Sequence, residues 1–404
     1  MKYLVLIPDG MADRPVPALD GKTPMEAAAK PMMDTLAKIS HCGTVLNVPP
    51  HMVPESDTAN LAIMSYDPAV YSKGRSPLEA VSMGIDLKDD ETAIRCNLVT
   101  LEGDGDYESL IITDHSADEI STEEADVLVK ALNEALPMEG RRLYTGVSYR
   151  HCLVWRGAPS TYDFTRPHDI LGQVIGDKLP RANDGGAEFL EFMKRGYEVL
   201  KNHPVNLARI AAGKKPANSP WLWSPGTKPA LPSFKEKWGI DASVISAVDL
   251  IKGIGKCAEM EVIEVEGVTG NYLTNYKGKA DAAIDAFRRG RDFVYVHVEA
   301  PDECGHRGEI ENKVLAIEKI DSLILAPVYD YLRNSGEDFK ILCLPDHPTP
   351  LEIRTHSHEP VPYFMYDSRK SVSGVDKFSE KACEAADDYN PDGSTLLSAM
   401  IEKQ

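Results

Sequence analysis

Two acid–imidazole pairs stand late in the chain, each after an apolar, strand-like run: Asp302 with His306, and Asp346 with His347. His356 and His358 follow in T-H-S-H-E-P, and at the other end of the sequence YLVLI runs into Pro8-Asp9-Gly10. Carboxylates and imidazoles brought to one point from distant segments are what hydrolases and phosphotransferases with two divalent ions require. Taken singly, an acid after a strand is most often a turn residue or a helix cap. An isolated histidine is more often a core or surface residue than a ligand. The joint occurrence changes that balance. Asp302 and His306 have i,i+4 spacing, so one helical turn aims both at the same point. Cys304 lies between them, but the other donors are hard oxygens and imidazoles, which argues against a thiolate ligand.

A bimetal site needs a nucleophile, and Ser56 in Glu55-Ser56-Asp57-Thr58-Ala59-Asn60 is placed to be one. A serine there is usually an N-cap. Beside a metal ion its hydroxyl acidifies, and a helix N-terminus favours both an alkoxide and a phosphate.

The elements that must carry these residues follow a strand–helix rhythm. Residues 2–7 read as a buried strand, 24–39 as a helix, 44–48 as a strand, and a helix starts near Ser56 or Asp57. The rhythm returns after about 240, with strands at 244–248, 293–298 and 341–344 and helices at 279–290 and 312–334. This predicts a mainly parallel sheet flanked by helices, with ligands beyond the carboxyl ends of its strands. Between the two blocks the texture changes to a hairpin around Gly103-Asp104-Gly105-Asp106, a helix over 121–136 and alternating strands over 142–155. The expected division is a core of 1–85 and 185–404 with an inserted α+β domain at 86–184. The Pro/Gly-rich stretch 158–187 reads as its return linker. Gly253-Ile254-Gly255-Lys256 lacks the spacing of a nucleotide P-loop.

With 63 acids against 44 bases the net charge is −19, which argues against nucleic acid or an anionic membrane as partner. Seven scattered cysteines without a C-x-x-C suit reduced thiols. The apolar start before Pro8 is too short for a signal-peptide core, and no apolar stretch reaches membrane-span length. A soluble, cytoplasmic protein is expected, with a homo-oligomer left open.

The motifs IPDGMAD (7–13), ESDTAN (55–60), YDP with GRSPLEA (66–80), VISAVDLIKGIGK (244–256), VTGNYLTN (268–275), VHVEAPDECGH (296–306), PDHPTP (345–350) and HSHEPVPY (356–363) occur in order almost end to end. In these the chain resembles the archaeal-type cofactor-independent phosphoglycerate mutases of the alkaline phosphatase superfamily. The resemblance implies an alkaline-phosphatase-like core and two divalent ions, Mn, Zn or Co, with Mg also admitted. One ion would be held by Asp302, His306 and His358. The other would be held by Asp9, Asp346, His347 and the Ser56 oxygen, with His356 in a supporting place. It further implies a phosphoserine at Ser56, a small phosphorylated acid as substrate, and an inserted domain that closes over it. Arg150, His151, Arg166 and His168 from that domain, with Arg75 and Lys252 from the core, are the candidate anion clamps. Family members often carry Asp-His-Ser-Thr-Pro where this chain has Asp346-His347-Pro348-Thr349-Pro350, and an acid where it has Arg307. The ligands survive both changes, whereas the substrate stays open. A related phosphotransferase or phosphohydrolase, including a homoserine kinase, shares this ligand set. A catalytically silent metal-binding protein is the third reading.

Overall fold

The computed structural model describes residues 1–401, which form two compact units: Met1–Ser72 with the chain from Ala230 onward, and Lys73–Pro229. In chain order the strands are β1 (Lys2–Pro8), β2 (His41–Val45), β3 (Glu91–Glu102), β4 (Ile111–Asp114), β5 (Arg141–Val147), β6 (Arg150–Arg156), β7 (Ser219–Thr227), β8 (Ala242–Ile245), β9 (Glu261–Val262), β10 (Phe293–Val298), β11 (Phe339–Cys343), β12 (Val361–Asp367) and β13 (Tyr389–Asn390).

The first unit is built on an eight-stranded sheet ordered β13-β2-β12-β11-β1-β10-β8-β9. At its centre β1 runs parallel to both neighbours, with Leu4 opposite Val294 of β10 and Ile341 of β11. Every residue of β1, β10 and β11 is buried, as expected of apolar parallel strands covered on both faces. Helices such as Tyr276–Arg288 and Ile310–Ile320 supply one cover, packing Ala280, Ala283, Ala316 and Ile320 against Leu4, Val294 and Ile341. Because the three central strands are parallel, their carboxyl ends lie on one edge, where open α/β sheets hold ligands.

Proline shapes two departures from the sequence reading. The helix expected over 24–39 is two short ones, Pro24–Ala27 and Pro31–Ala37, because Pro31 has no N–H to continue the first. The run from Ile310 to Asn334 is helical throughout but passes through a π-turn, Asp321–Leu325, just before Pro327.

The second unit is an antiparallel sheet, β4-β3-β6-β5, with β7 added along β3. The helices Thr122–Ala135 and Ala187–Leu200 bury Leu128, Leu132, Phe189 and Phe192 in one cluster with Val99 and Trp221 of this sheet. The boundaries expected at 86 and 184 therefore move outward to 73 and 229. The helix Arg75–Ser82 packs on β3, and β7 pairs with β3 from Thr92↔Thr227 to Val99↔Ser219. Residues 158–187 are short turns that bury Ile170, Ile175 and Leu179 in the same cluster rather than a linker.

Candidate active site

The edge formed by β11, β1 and β10 gathers three acids. Asp9 follows β1 directly, Asp346 lies three residues past β11, and Asp302 sits in the first turn of a helix, Ala300–Arg307, that starts just after β10. One turn on, His306 brings its Nε2 to 3.3 Å from Asp302 Oδ2. Ser56 opens the helix Ser56–Ile63 but is not its N-cap; Glu55 holds that place. The Ser56 hydroxyl instead faces His347, with Oγ 3.2 Å from Nε2.

Asn60, one turn along that helix and fully buried, fixes the junction. Its amide nitrogen donates to Asp346 Oδ2 at 2.9 Å and to the Ser56 carbonyl at 2.8 Å, while its oxygen accepts from the Tyr295 hydroxyl at 2.5 Å. Asp346 Oδ1 accepts from the amides of Gly10 and His347. Donor atoms collect in two groups, Asp9 with His297 and Asp346, and Asp302 with His347 and His356, each within 4.8 Å of one another. His347 lies between them, its Nε2 3.7 Å from Asp9 Oδ1 and its ring stacked on His356 at 3.9 Å.

The tautomers follow from the partners on the far side of each ring. His306 Nδ1 meets the Arg354 carbonyl at 3.0 Å and His356 Nδ1 the Pro54 carbonyl at 2.6 Å. A carbonyl only accepts, so both Nδ1 atoms carry a proton and both Nε2 atoms face inward, where each donates to Asp302 when its ring is charged and offers a lone pair to a cation when it is neutral. Thr349 Oγ1 donates to Asp302 Oδ1, leaving it to accept from His347 Nδ1 at 3.3 Å. That ring likewise presents an Nε2 lone pair, to which the Ser56 hydroxyl donates. The Nε2 atoms of His306 and His356 stand 3.0 Å apart. At that distance the two rings share a proton in the metal-free chain, and a cation between them would replace it.

The acids are equally strained. Burial, then the charges of Asp346 and Asp302, pushes the Asp9 carboxyl well above its ordinary range. Burial also works against ionised Asp302, but hydrogen bonds from His306 and His356 outweigh it and hold the group well below its usual value. The same contact with Asp302 raises His306 to about 9. Asp9 Oδ1 and His297 Nε2 are buried without any hydrogen-bond partner. This set of hard oxygens and imidazole nitrogens fits divalent cations such as Mn, Zn, Co or Mg.

The family described as 2,3-bisphosphoglycerate-independent phosphoglycerate mutase matches residues 37–206. Across nearly its whole length the chain is similar to a protein of that name from Methanothrix thermoacetophila. The two are 46% identical over 401 residues, covering 99% of this chain and 100% of the relative. The chain belongs to the 2,3-bisphosphoglycerate-independent phosphoglycerate mutase family. Among solved structures it is similar to a Pyrococcus horikoshii protein, at 30% identity and a TM-score of 0.81, covering 99% of this chain and 96% of that one. It is also similar to the cofactor-independent phosphoglycerate mutase of Thermoplasma acidophilum, at 26% identity and a TM-score of 0.68, covering 99% of both.

In this mutase-family chain the sequence-predicted residues fall into distinct places. Asp9, Ser56, Asp302, His306, Asp346 and His347 meet in the cluster. His358, expected beside Asp302, is exposed, and His356 takes that position with Nε2 3.3 Å from Asp302 Oδ1. The segment around them is irregular rather than a regular strand, so residues two apart turn different ways. The Cys304 thiol lies 4.0 Å from Glu309, pushed up to about 12 by burial. Lys252 pairs with Asp249 and Glu264.

Within the second unit, Arg75 opens its helix with a buried Nε that has no hydrogen-bond partner. Arg150 lies over the Tyr149 ring, and Arg166 precedes the turn that carries His168. The His168 ring is 5.5 Å from Trp223, over which Arg95 stacks at 4.4 Å while forking onto Glu79. Arg75 and Arg150 both lie close enough to lower the Arg95 pKa, after burial. His151 is turned inward instead; burial pulls it down to about 4 and its Nδ1 accepts from the Gly146 amide. Arg95, Trp223, Asn60, Thr349 and His297 were not singled out from sequence. Asn60, Thr349 and His297 lay inside the quoted motifs, whereas Arg95 and Trp223 lay outside them.

Proposed function

We propose that this chain interconverts 3-phosphoglycerate and 2-phosphoglycerate without added bisphosphoglycerate, through a phosphoserine on Ser56. The observation that carries the reading is the Ser56 hydroxyl, at the start of a helix and 3.2 Å from His347, inside a cluster of three buried acids and inward-facing imidazoles. Membership of the family over nearly the full chain supports it. Two divalent ions fit the donors: one with Asp302, His306 and His356, the other with Asp9, Asp346, His347 and the Ser56 oxygen. Bound there, they supply charge neutralisation of the phosphoryl oxygens and acidify the serine hydroxyl.

The chain's own residues set the geometry. Without an ion the Ser56 hydroxyl donates to His347 Nε2, the lone pair that would pass to the ion, so the contact places the serine oxygen and the imidazole side by side, and Asn60 ties Ser56 to Asp346. The dipole of the helix favours the phosphate beside its first residue. In the first half-reaction a bond forms between Ser56 Oγ and phosphorus as the bond from phosphorus to the substrate's 3-oxygen breaks; the serine proton ends on that oxygen. In the second, the 2-hydroxyl of glycerate attacks the phosphoserine, the Ser56–phosphorus bond breaks, and the serine regains a proton. Arg75, Arg95, Arg150, Arg166 and His168 of the second unit are proposed to receive the substrate's anionic groups. Among the described residues no helix is long and apolar enough to cross a membrane, in keeping with a proposed cytoplasmic location.

The test is to incubate the Mn- or Co-loaded chain with 3-phosphoglycerate and follow 2-phosphoglycerate by enolase-coupled absorbance. Isomerisation is expected in wild type. Ser56→Ala should give none and take up no phosphate by intact mass. Absence of isomerisation with Mn, Co and Zn, or full activity in Ser56→Ala, overturns the proposal.

A further inference from the structure

His297 shares the cluster with Asp9 and Asp346. It lies in β10, where strand alternation puts it on the same face as Tyr295, and the register sets it opposite Ile7, two residues before Asp9. Tyr295 uses that face to reach Asn60, and His297 uses it to reach Asp9. The ring is completely buried, with Nε2 3.2 Å from Asp9 Oδ2. This contact is close but misaligned: Nε2 makes no hydrogen bond, and neither does Asp9 Oδ1. A structural histidine would be expected to bond through both nitrogens, since a buried unsatisfied polar atom costs about 1–3 kcal/mol.

The other side of the ring is held. Ser246 Oγ lies 3.3 Å from Nδ1 and accepts the Val248 amide at 3.0 Å, keeping a second lone pair for an Nδ1 proton. Lys279, itself buried, donates to the His297 carbonyl at 2.7 Å and fixes the strand there. A ring whose Nδ1 is anchored on a hydroxyl able to accept its proton, and whose Nε2 faces two carboxylates, has the arrangement of a metal-ligating histidine with its orienting partner.

We propose that His297 is a metal-binding residue of the Asp9–Asp346 group, giving its Nε2 lone pair to the ion those carboxylates hold, with Ser246 as its positioning residue. This rests on the two-ion reading above. The group then offers an imidazole from the sheet itself as well as the one from the loop after β11.

The experiment strips the full chain with a chelator and titrates it with Co(II), following visible absorption and heat. Wild type is expected to take two equivalents. His297→Gln and His297→Asn should keep one equivalent unchanged and bind the other at least about 30-fold more weakly, with a shifted absorption band; Ser246→Ala should weaken the same equivalent about 10-fold. Circular dichroism of the stripped variants confirms folding, and should His297→Gln fail to fold, His297→Asn and Ser246→Ala decide the matter. If the folded variants bind both equivalents within threefold of wild type and with its spectrum, His297 is not a ligand. A wild-type chain that takes up only one ion overturns the two-ion reading, and this proposal with it.

Discussion

Lys313 is buried in the helix Ile310–Ile320, and its ammonium joins two of the segments that carry the site. It donates to Asp13 Oδ2 at 2.7 Å and to the Thr349 carbonyl at 2.8 Å, with both charged side chains at most 1% exposed. Asp13 follows β1 a few residues after Asp9. Thr349 follows His347 and donates to Asp302. Replacing Lys313 by Met keeps the volume but strands a buried carboxylate. Breaking a buried pair from one side costs about 3–5 kcal/mol. Here the lower end applies, because Asp13 still accepts the amides of Arg14 and Leu351. At about 2–4 °C per kcal/mol the unfolding transition that contains this unit should fall by roughly 10 °C. Adding Asp13→Asn removes the stranded charge, and the double variant should recover at least half of the loss. The assay is calorimetry or circular dichroism on the chelator-treated full chain, read alongside mutase activity. If Lys313→Met melts within 2 °C of wild type, or the double variant melts no higher than the single, the ion pair does not brace the site.

Three further outcomes are expected. His356→Ala should lose one of two bound Co(II) ions by metal analysis while His358→Ala keeps both, and the reverse order would restore the sequence-based assignment of His358. In the metal-free chain His306 is raised to about 9 by Asp302, above its ordinary 6.5 or so. Its contribution is therefore complete below about pH 6.5 and is lost as the pH rises through 9; the melting temperatures of wild type and His306→Asn should converge over that window, and a constant gap would refute the linkage. Tyr295→Phe removes the hydrogen bond that orients Asn60 and should cost about 1–2 kcal/mol in denaturant unfolding with a drop in kcat; an unchanged kcat would separate Asn60 orientation from catalysis.

The acids were legible because the chemistry and the topology leave the same trace: an apolar run that ends in a carboxylate at Asp9, Asp302 and Asp346. Ser56 was legible through its motif, although its hydroxyl faces His347 rather than capping the helix. His297 left no comparable trace. It stands at the start of the motif VHVEAPDECGH but sits inside FVYVHV, a strand buried throughout, where the two-residue period does not distinguish an inward histidine from a core one. The choice between His356 and His358 depends on which way an irregular segment turns, and both share one motif. The end of the inserted unit was obscured by proline. β7 reads SPWLWSPGT, which resembles a linker, yet its prolines are tolerated because it pairs along β3 alone among the described strands. Its Trp221 belongs to the core of that unit, with 1% of its surface exposed.

The place of β1 at the centre of its sheet has a consequence for biosynthesis. Both its neighbours, β10 and β11, are encoded roughly 290 or more residues later, so a ribosome adding 5–20 residues per second needs about 15–60 s to supply the first of them. Throughout that interval a seven-residue apolar segment has no partner on either edge, whereas the contiguous unit Lys73–Pro229 has all of its strands and can fold as it emerges. The nascent chain thus carries a finished insert and an open, aggregation-prone strand at the same time, a state in which a chaperone would recognise β1. Loading of the ion proposed at Asp9 would come later still, because Asp346 and His347 must have left the exit tunnel before they can share it.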